Sequence, residues 1–166
     1  MNIFVLDKCP VKAAKAHCNV HCIKMILESS QMLCSVFWVN GLEAPYKLSH
    51  KNHPCSIWAR TSRENYMWLI ALGEALHDEY QYRYGAHKTH KSLAVIKWCK
   101  EAVDAIDFPE SGLTPFVQAM PDEYKCIDPV RAYKQYYLND KKHLLTYTRR
   151  KEPKWASENK TTLSLH

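Results

Sequence analysis

The stretch Asn19-Val20-His21-Cys22-Ile23-Lys24-Met25-Ile26-Leu27-Glu28-Ser29-Ser30-Gln31-Met32-Leu33-Cys34-Ser35-Val36-Phe37 contains neither Gly nor Pro, and its apolar residues recur at helical intervals. One long helix follows. It is apolar round most of its circumference, the pattern of a helix buried in a core rather than laid on a surface. The exceptions are ordered: His21, Lys24, Glu28, Gln31 and Ser35 follow one another at spacings of three, four, three and four. At roughly 100° per residue they fall on one narrow stripe. A polar stripe on a nearly buried helix needs partners or a ligand, because unpaired buried charge is costly. Two readings stand. One is a Lys24–Glu28 ion pair on a solvated edge; the other is an active-site wall with Glu28 as the working carboxylate and His21 and Lys24 beside it.

Length and charge narrow the class. The 166 residues suffice for one domain with a sizeable core. No apolar run is expected to reach the length of a bilayer span, and the N-terminus lacks the basic-then-apolar layout of an export signal. Seven cysteines, an odd number at scattered positions, then point to a reduced, intracellular (cytoplasmic) protein rather than a disulfide framework. The formal net charge of +6 favours an anionic partner, DNA first, and five Trp and ten Tyr supply surfaces on which bases stack. No membrane, cofactor or metal is expected, and a monomer is.

Along the chain, Asn2-Ile3-Phe4-Val5-Leu6 is a short apolar run, either a single strand or an extended arm. Pro10 suits the first position of a helix through about His17. Asn19 is a good cap for the central helix, and Asn40-Gly41 ends it. Pro54 opens another helical stretch, and Ser62 caps a long helix from Arg63 to Tyr84 that stops at Gly85. Within it Asn65, Leu72 and Glu79 lie seven apart, setting two polar groups on an apolar face near Trp68, Leu69 and Leu76. Thr89 caps a further helix to about Asp107. Phe108 to Tyr124, with Pro109, Gly112, Pro115 and Pro121, is an ordered loop long enough to be functional. Asp128-Pro129 starts a helix carrying Tyr133, Tyr136 and Tyr137, and Asp140 begins a short basic one. The expected fold is all-α, a single compact helical domain over residues 1–150 with a possible short N-terminal strand, followed by a flexible polar tail, 151–166.

Other constellations carry possible chemistry. His50-Lys51-Asn52-His53-Pro54 leads into a helix N-terminus, whose free N–H groups suit a phosphate. Asn52, His53, Arg60 and Arg63 complete a candidate DNA-binding surface there, beside Trp58, Asn65 and Trp68. At the turn after the long helix, Arg83, His87 and Lys88 suit either a DNA backbone or the helix's own C-terminal dipole. His17, Cys18, His21 and Cys22 interleave at one-turn spacing but lack the paired spacing of a zinc site. His77-Asp78, with His53 before and Asp104 or Asp107 after, resembles the ligand order of the all-α HD phosphohydrolases.

His21 and Glu28 seven apart, His53-Pro54 ahead of a later helix and Arg83-Tyr84-Gly85 closing it give roughly the first ninety residues a further likeness. They resemble the phage pyrimidine-dimer DNA glycosylase (endonuclease V) family of small, basic, all-α proteins. In that family an Asp-x-His on an early helix precedes the catalytic Glu, and the α-amine exposed by Met removal is the nucleophile. The resemblance implies Glu28 as catalytic carboxylate, DNA as partner and excision of a damaged or modified base as the activity. The chain departs from the pattern at Asn19 (for the Asp), at Leu27 (for the Arg that usually precedes the Glu) and at Asn2, which disfavours Met removal. The expected nucleophile is therefore a water activated by Glu28, giving base release without strand cleavage. An HD-type hydrolase on His53, His77 and Asp78 and a non-catalytic nucleic-acid-binding protein are the alternatives.

Overall fold

The two longest helices lie within the two longest stretches free of Pro: α2, Asn19–Val39, and α4, Arg63–Tyr84. They pack on each other more extensively than any other pair. The structure, a computed structural model, describes residues 1–158. Around the central pair lie α1 (Pro10–Ala16), α3 (Pro54–Thr61), α5 (Ser92–Glu101) and α6 (Pro129–Asp140). Single 3₁₀ turns occupy Val103–Ala105, Asp122–Tyr124 and Lys142–Leu144, and residues 154–158 are helical. Among the described residues the strand-like pairing amounts to an isolated bridge between Ser62 and Glu110. The fold is all-α.

Local chemistry sets these limits. Ser62 accepts the Asn65 N–H at the start of α4, and Gly85, at φ +123°, supplies the left-handed residue that stops it. Asp128 caps α6 by accepting from the Val130 N–H. Gly73 lets α5 come close to α4, for a Cβ there would stand 2.8 Å from Cδ1 of Ile96. Met25, Ile26, Leu33, Tyr66, Leu69, Leu76 and Ile96 are fully or almost fully buried in the core between α2, α4 and α5.

Several expectations are corrected. No strand forms at the N-terminus: residues 2–6 are an extended arm, with Ile3, Phe4, Val5 and Leu6 all buried. Contrary to the length reading, α2 is long and apolar enough to cross a membrane by composition, but most of it is packed inside the protein. Its cap is Cys18, with Asn19 already helical. Asn19's side chain instead accepts from Arg83 and from the Thr148 N–H, since it faces other chain segments at the helix start. Thr89 caps nothing, and α5 begins at Ser92 and ends at Glu101, short of Asp107. The polar tail does not begin at Lys151, because Ala156 is fully buried and Trp155 packs on Tyr137. The rest of the expected tail, 159–166, lies outside the described residues.

Candidate active site

The N-terminal arm lies over the polar stripe of α2. The α-amine of Met1 stands 3.6 Å from Oε1 of Glu28, and the ring of Phe4 stacks on His21 with centroids 4.3 Å apart. Met1 meets the stripe two turns after Phe4 does, so the arm runs antiparallel to α2. Asn2 fixes the crossing: its side-chain oxygen accepts the Ile3 and Phe4 N–H groups, and its amide donates to the Ala119 carbonyl. Phe4 takes φ +32°, a conformation that costs of order 1–3 kcal/mol and persists only where packing imposes it. Here the stack on His21 and edge contacts with Tyr133 and Tyr137 impose it.

His21 and Glu28, one stripe in sequence, have different surroundings. His21 is buried, and its Nδ1 shares a 2.6 Å hydrogen bond with the Tyr137 hydroxyl. Burial first, then the charges of His17, Lys141 and Lys24, push its pKa down to about 3. It is a neutral ring closed under Phe4 and serves to hold the arm. Lys24 is exposed. Glu28 keeps 15% side-chain exposure, and among the described residues it has no hydrogen-bond or ion-pair partner besides the amine. His53, the cap of α3, shares this electrostatic neighbourhood. Burial lowers its pKa first, the Met1 amine and His50 add to that, and Glu28 opposes them.

Further walls came from parts of the chain no spacing rule connects. Tyr136 of α6 stacks near Phe4 (6.2 Å) and Tyr124 (5.9 Å), and the Lys141 ammonium sits 5.2 Å over the Tyr136 ring. Leu27 and Gln31, one turn apart on either side of Glu28 in sequence, line a cavity of about 480 Å³ together with Tyr46, Leu48 and Lys91, and Glu28 is not part of its lining. Ser35, the last member of the stripe, closes the series by donating to the Ser49 carbonyl. Tyr124, Tyr136 and Lys141 were not among the site residues expected from sequence: Tyr136 was read only as part of its helix, and no local signal ties any of the three to the stripe. They matter because tertiary packing returns α6 to the arm.

The other candidate residues divide sharply. Asn65 is fully buried, donating to the Trp58 carbonyl and to Thr114, and Trp68 donates to the Lys8 carbonyl. Arg83 is buried against Glu79. All three brace the interior and are no DNA-facing surface, because each polar group is consumed inside. Arg60 donates to the Lys51 carbonyl and so ties down the loop ahead of α3. Arg63 pairs with Asp104. Asn52 is exposed in that loop, and His87 and Lys88 are exposed in the α4–α5 turn. Of the expected site residues, Glu28, Lys24, His21 and His53 gather round the arm.

The metal alternative finds no framework: among the described residues no three His, Cys, Asp or Glu side chains gather to hold an ion. His77 is buried with Nε2 accepting the His90 N–H, while Asp78 faces outward. All seven cysteines are free. No family model, curated protein or solved structure matches the chain.

Proposed function

We propose that this protein is a DNA N-glycosylase in which Glu28 and the Met1 α-amine work as a pair. The observation that carries the reading is their 3.6 Å separation under partial cover. A carboxylate at that distance relays the proton an ammonium must lose to become a nucleophile, and it offers a negative charge to a sugar developing positive charge. This geometry favours the amine over the activated water expected from the sequence. Attack of the amine on C1′ breaks the glycosidic bond and releases the base with its electron pair, and the base anion takes up the second proton that the amine sheds. The C1′–O4′ bond then opens, with Glu28 returning the first proton to O4′, and the amine is left as a protonated imine on C1′.

The surroundings suit the substrate. An extruded base needs a stacking surface and polar groups for its edge, and the cavity lined by Leu27 and Gln31, the neighbours of Glu28 along α2, offers Tyr46 and the Gln31 amide. Lys24 and Lys141 flank the arm with positive charge for adjoining phosphates.

A duplex carrying an abasic site, treated with borohydride in the presence of the protein, tests the nucleophile. A covalent adduct is expected, lost in Glu28→Gln and when a short N-terminal extension converts the amine to an amide. Base release from ultraviolet-irradiated DNA without any adduct would return the role to water. Neither release nor adduct would end the glycosylase reading.

A further inference from the structure

At the far end of the arm from Glu28, the segment 150–155 crosses beside α1 and leaves a cavity of about 300 Å³. Lys12, Lys15, Lys134, Arg150 and Lys151 line it, against the single carboxylate of Asp7 among its lining residues. That carboxylate is already occupied in part, its Oδ1 accepting the Cys9 N–H. Five cations round a hollow this small repel one another, an arrangement that an entering anion relieves.

Two of the cations are held rather than loose. Arg150 donates through Nε and Nη2 to the Glu79 carboxylate at 2.8 and 2.9 Å, and its guanidinium lies 4.3 Å over the Tyr82 ring. Those bonds use one edge of the guanidinium and leave Nη1 for a further acceptor. Lys134 sits 5.7 Å over Trp155, the aromatic wall of the cavity. Lys12 and Lys15, about one turn apart, come from one side of α1, while Lys151 comes from the crossing segment. Charges from three separated chain segments thus converge on one concave site, unlike lysines scattered over a surface.

We propose that this cavity binds phosphate, either a backbone phosphate of DNA or the phosphate group of a small molecule. The first source rests on the glycosylase reading, and the second does not. The test compares the full chain with Lys12→Gln/Lys15→Gln/Lys151→Gln, three exposed lysines whose loss leaves the Arg150–Glu79 contact in place. A control carries Lys97→Gln/Lys125→Gln/Lys142→Gln, the same charge removed from exposed positions elsewhere. Inorganic tripolyphosphate is titrated by calorimetry, and a double-stranded oligonucleotide is titrated across a series of salt concentrations.

The cavity variant is expected to lose about tenfold or more in tripolyphosphate affinity. Its salt slope for DNA should become shallower by about 0.9 for each lysine that meets a phosphate, while the control changes little in either assay. Loss confined to tripolyphosphate assigns the site to a small phosphate compound, and loss confined to DNA assigns it to the backbone. Unchanged binding of both ligands, or equal losses in the control, would overturn the proposal. Base release by the same proteins is scored separately, so an inactive wild-type enzyme bears on the glycosylase reading and leaves the phosphate site standing.

Discussion

Glu79 and Glu28 are both helix carboxylates turned toward positive charge under cover, and they differ in how fully they are used. Glu79 is 4% exposed; its Oε1 accepts from Nε of Arg83 and of Arg150, and its Oε2 from Nη2 of Arg150. Burial alone would raise its pKa, but the bonds from Arg150 and Arg83 outweigh that and hold it below the ordinary range. Arg83 extends the network to Asn19 and the Lys15 carbonyl, so α1, α2, α4 and the last described segment meet at one charge. Glu28 has a single, longer contact to a single amine. A carboxylate whose lone pairs are saturated has nothing to offer a substrate, whereas one with slack does. The contrast separates a structural carboxylate from an available one.

Removing Glu79 should show the larger effect on the fold. Glu79→Ala strands two guanidinium groups, one of them fully covered, and breaking such a buried pair costs about 3–5 kcal/mol. Urea unfolding measures it, and a cost near zero would erase the distinction. Glu28→Gln should do the reverse. Base excision is expected to fall by about 10²–10⁴-fold, the usual weight of a positioned acid or base. The same unfolding assay should move by less than about 1 kcal/mol, since one partly exposed ion pair is lost. If Glu28→Gln unfolds the protein as Glu79→Ala does, the Met1–Glu28 contact is only a clasp for the arm.

Acid sharpens the comparison, because the buried histidines around the arm begin to cost stability below about pH 6.5, whereas the Glu79 network, its carboxyl held below the ordinary range, keeps its contribution until pH falls past the ordinary carboxylate value. Burial pushes His17 down to about 4 and His21 to about 3. In the folded protein both are neutral above those values, while in the unfolded chain they bind protons below about 6.5. Stability is therefore flat above that point and declines as pH falls from there toward 4 and then 3. At pH 5 the loss is of order 2 kcal/mol for each histidine. Denaturation at pH 7 and pH 5 reads it, and His17→Leu should remove about half the difference. A carboxylate network lost at pH 5 would show instead as sensitivity that Glu79→Ala abolishes and His17→Leu leaves intact.

The fold was largely legible because its punctuation is local. Pro10, Ser62, Gly85 and Asp128 act within one turn of themselves, and each starts or stops the helix expected of it. Thr89 failed because capping chemistry is necessary but not sufficient: the chain stays in a turn through Lys91, with His90 bonded to His77 and to Ser92 instead. The stripe on α2 was equally visible, but its division was not. Nothing in the spacing of His21 and Glu28 says that Phe4 covers one and Met1 reaches the other. That depends on an arm whose course is set by Asn2 bonding to Ala119, over a hundred residues away. Asn65 and Arg83 looked like surface reagents for the converse reason, since their partners Thr114 and Lys15 lie on other segments.

The smallest expected effect tests whether His21 is an anchor or a reagent. Its Nδ1 and the Tyr137 hydroxyl share a 2.6 Å bond in a buried site. Tyr137→Phe leaves the imidazole nitrogen unpaired at a cost of about 1 kcal/mol, whereas removing both partners together can be nearly neutral. A double-mutant cycle with His21→Phe therefore should give a clear coupling energy, since the new ring can keep the stack on Phe4. Activity decides the role. As an anchor, His21 acts only by keeping the arm seated so that Met1 meets Glu28, and the double variant should regain the excision rate lost by Tyr137→Phe. As a proton donor or acceptor in the reaction, its loss would be irreversible whatever stands at 137. Recovery of rate together with recovery of stability would place catalysis at the open end of the stripe.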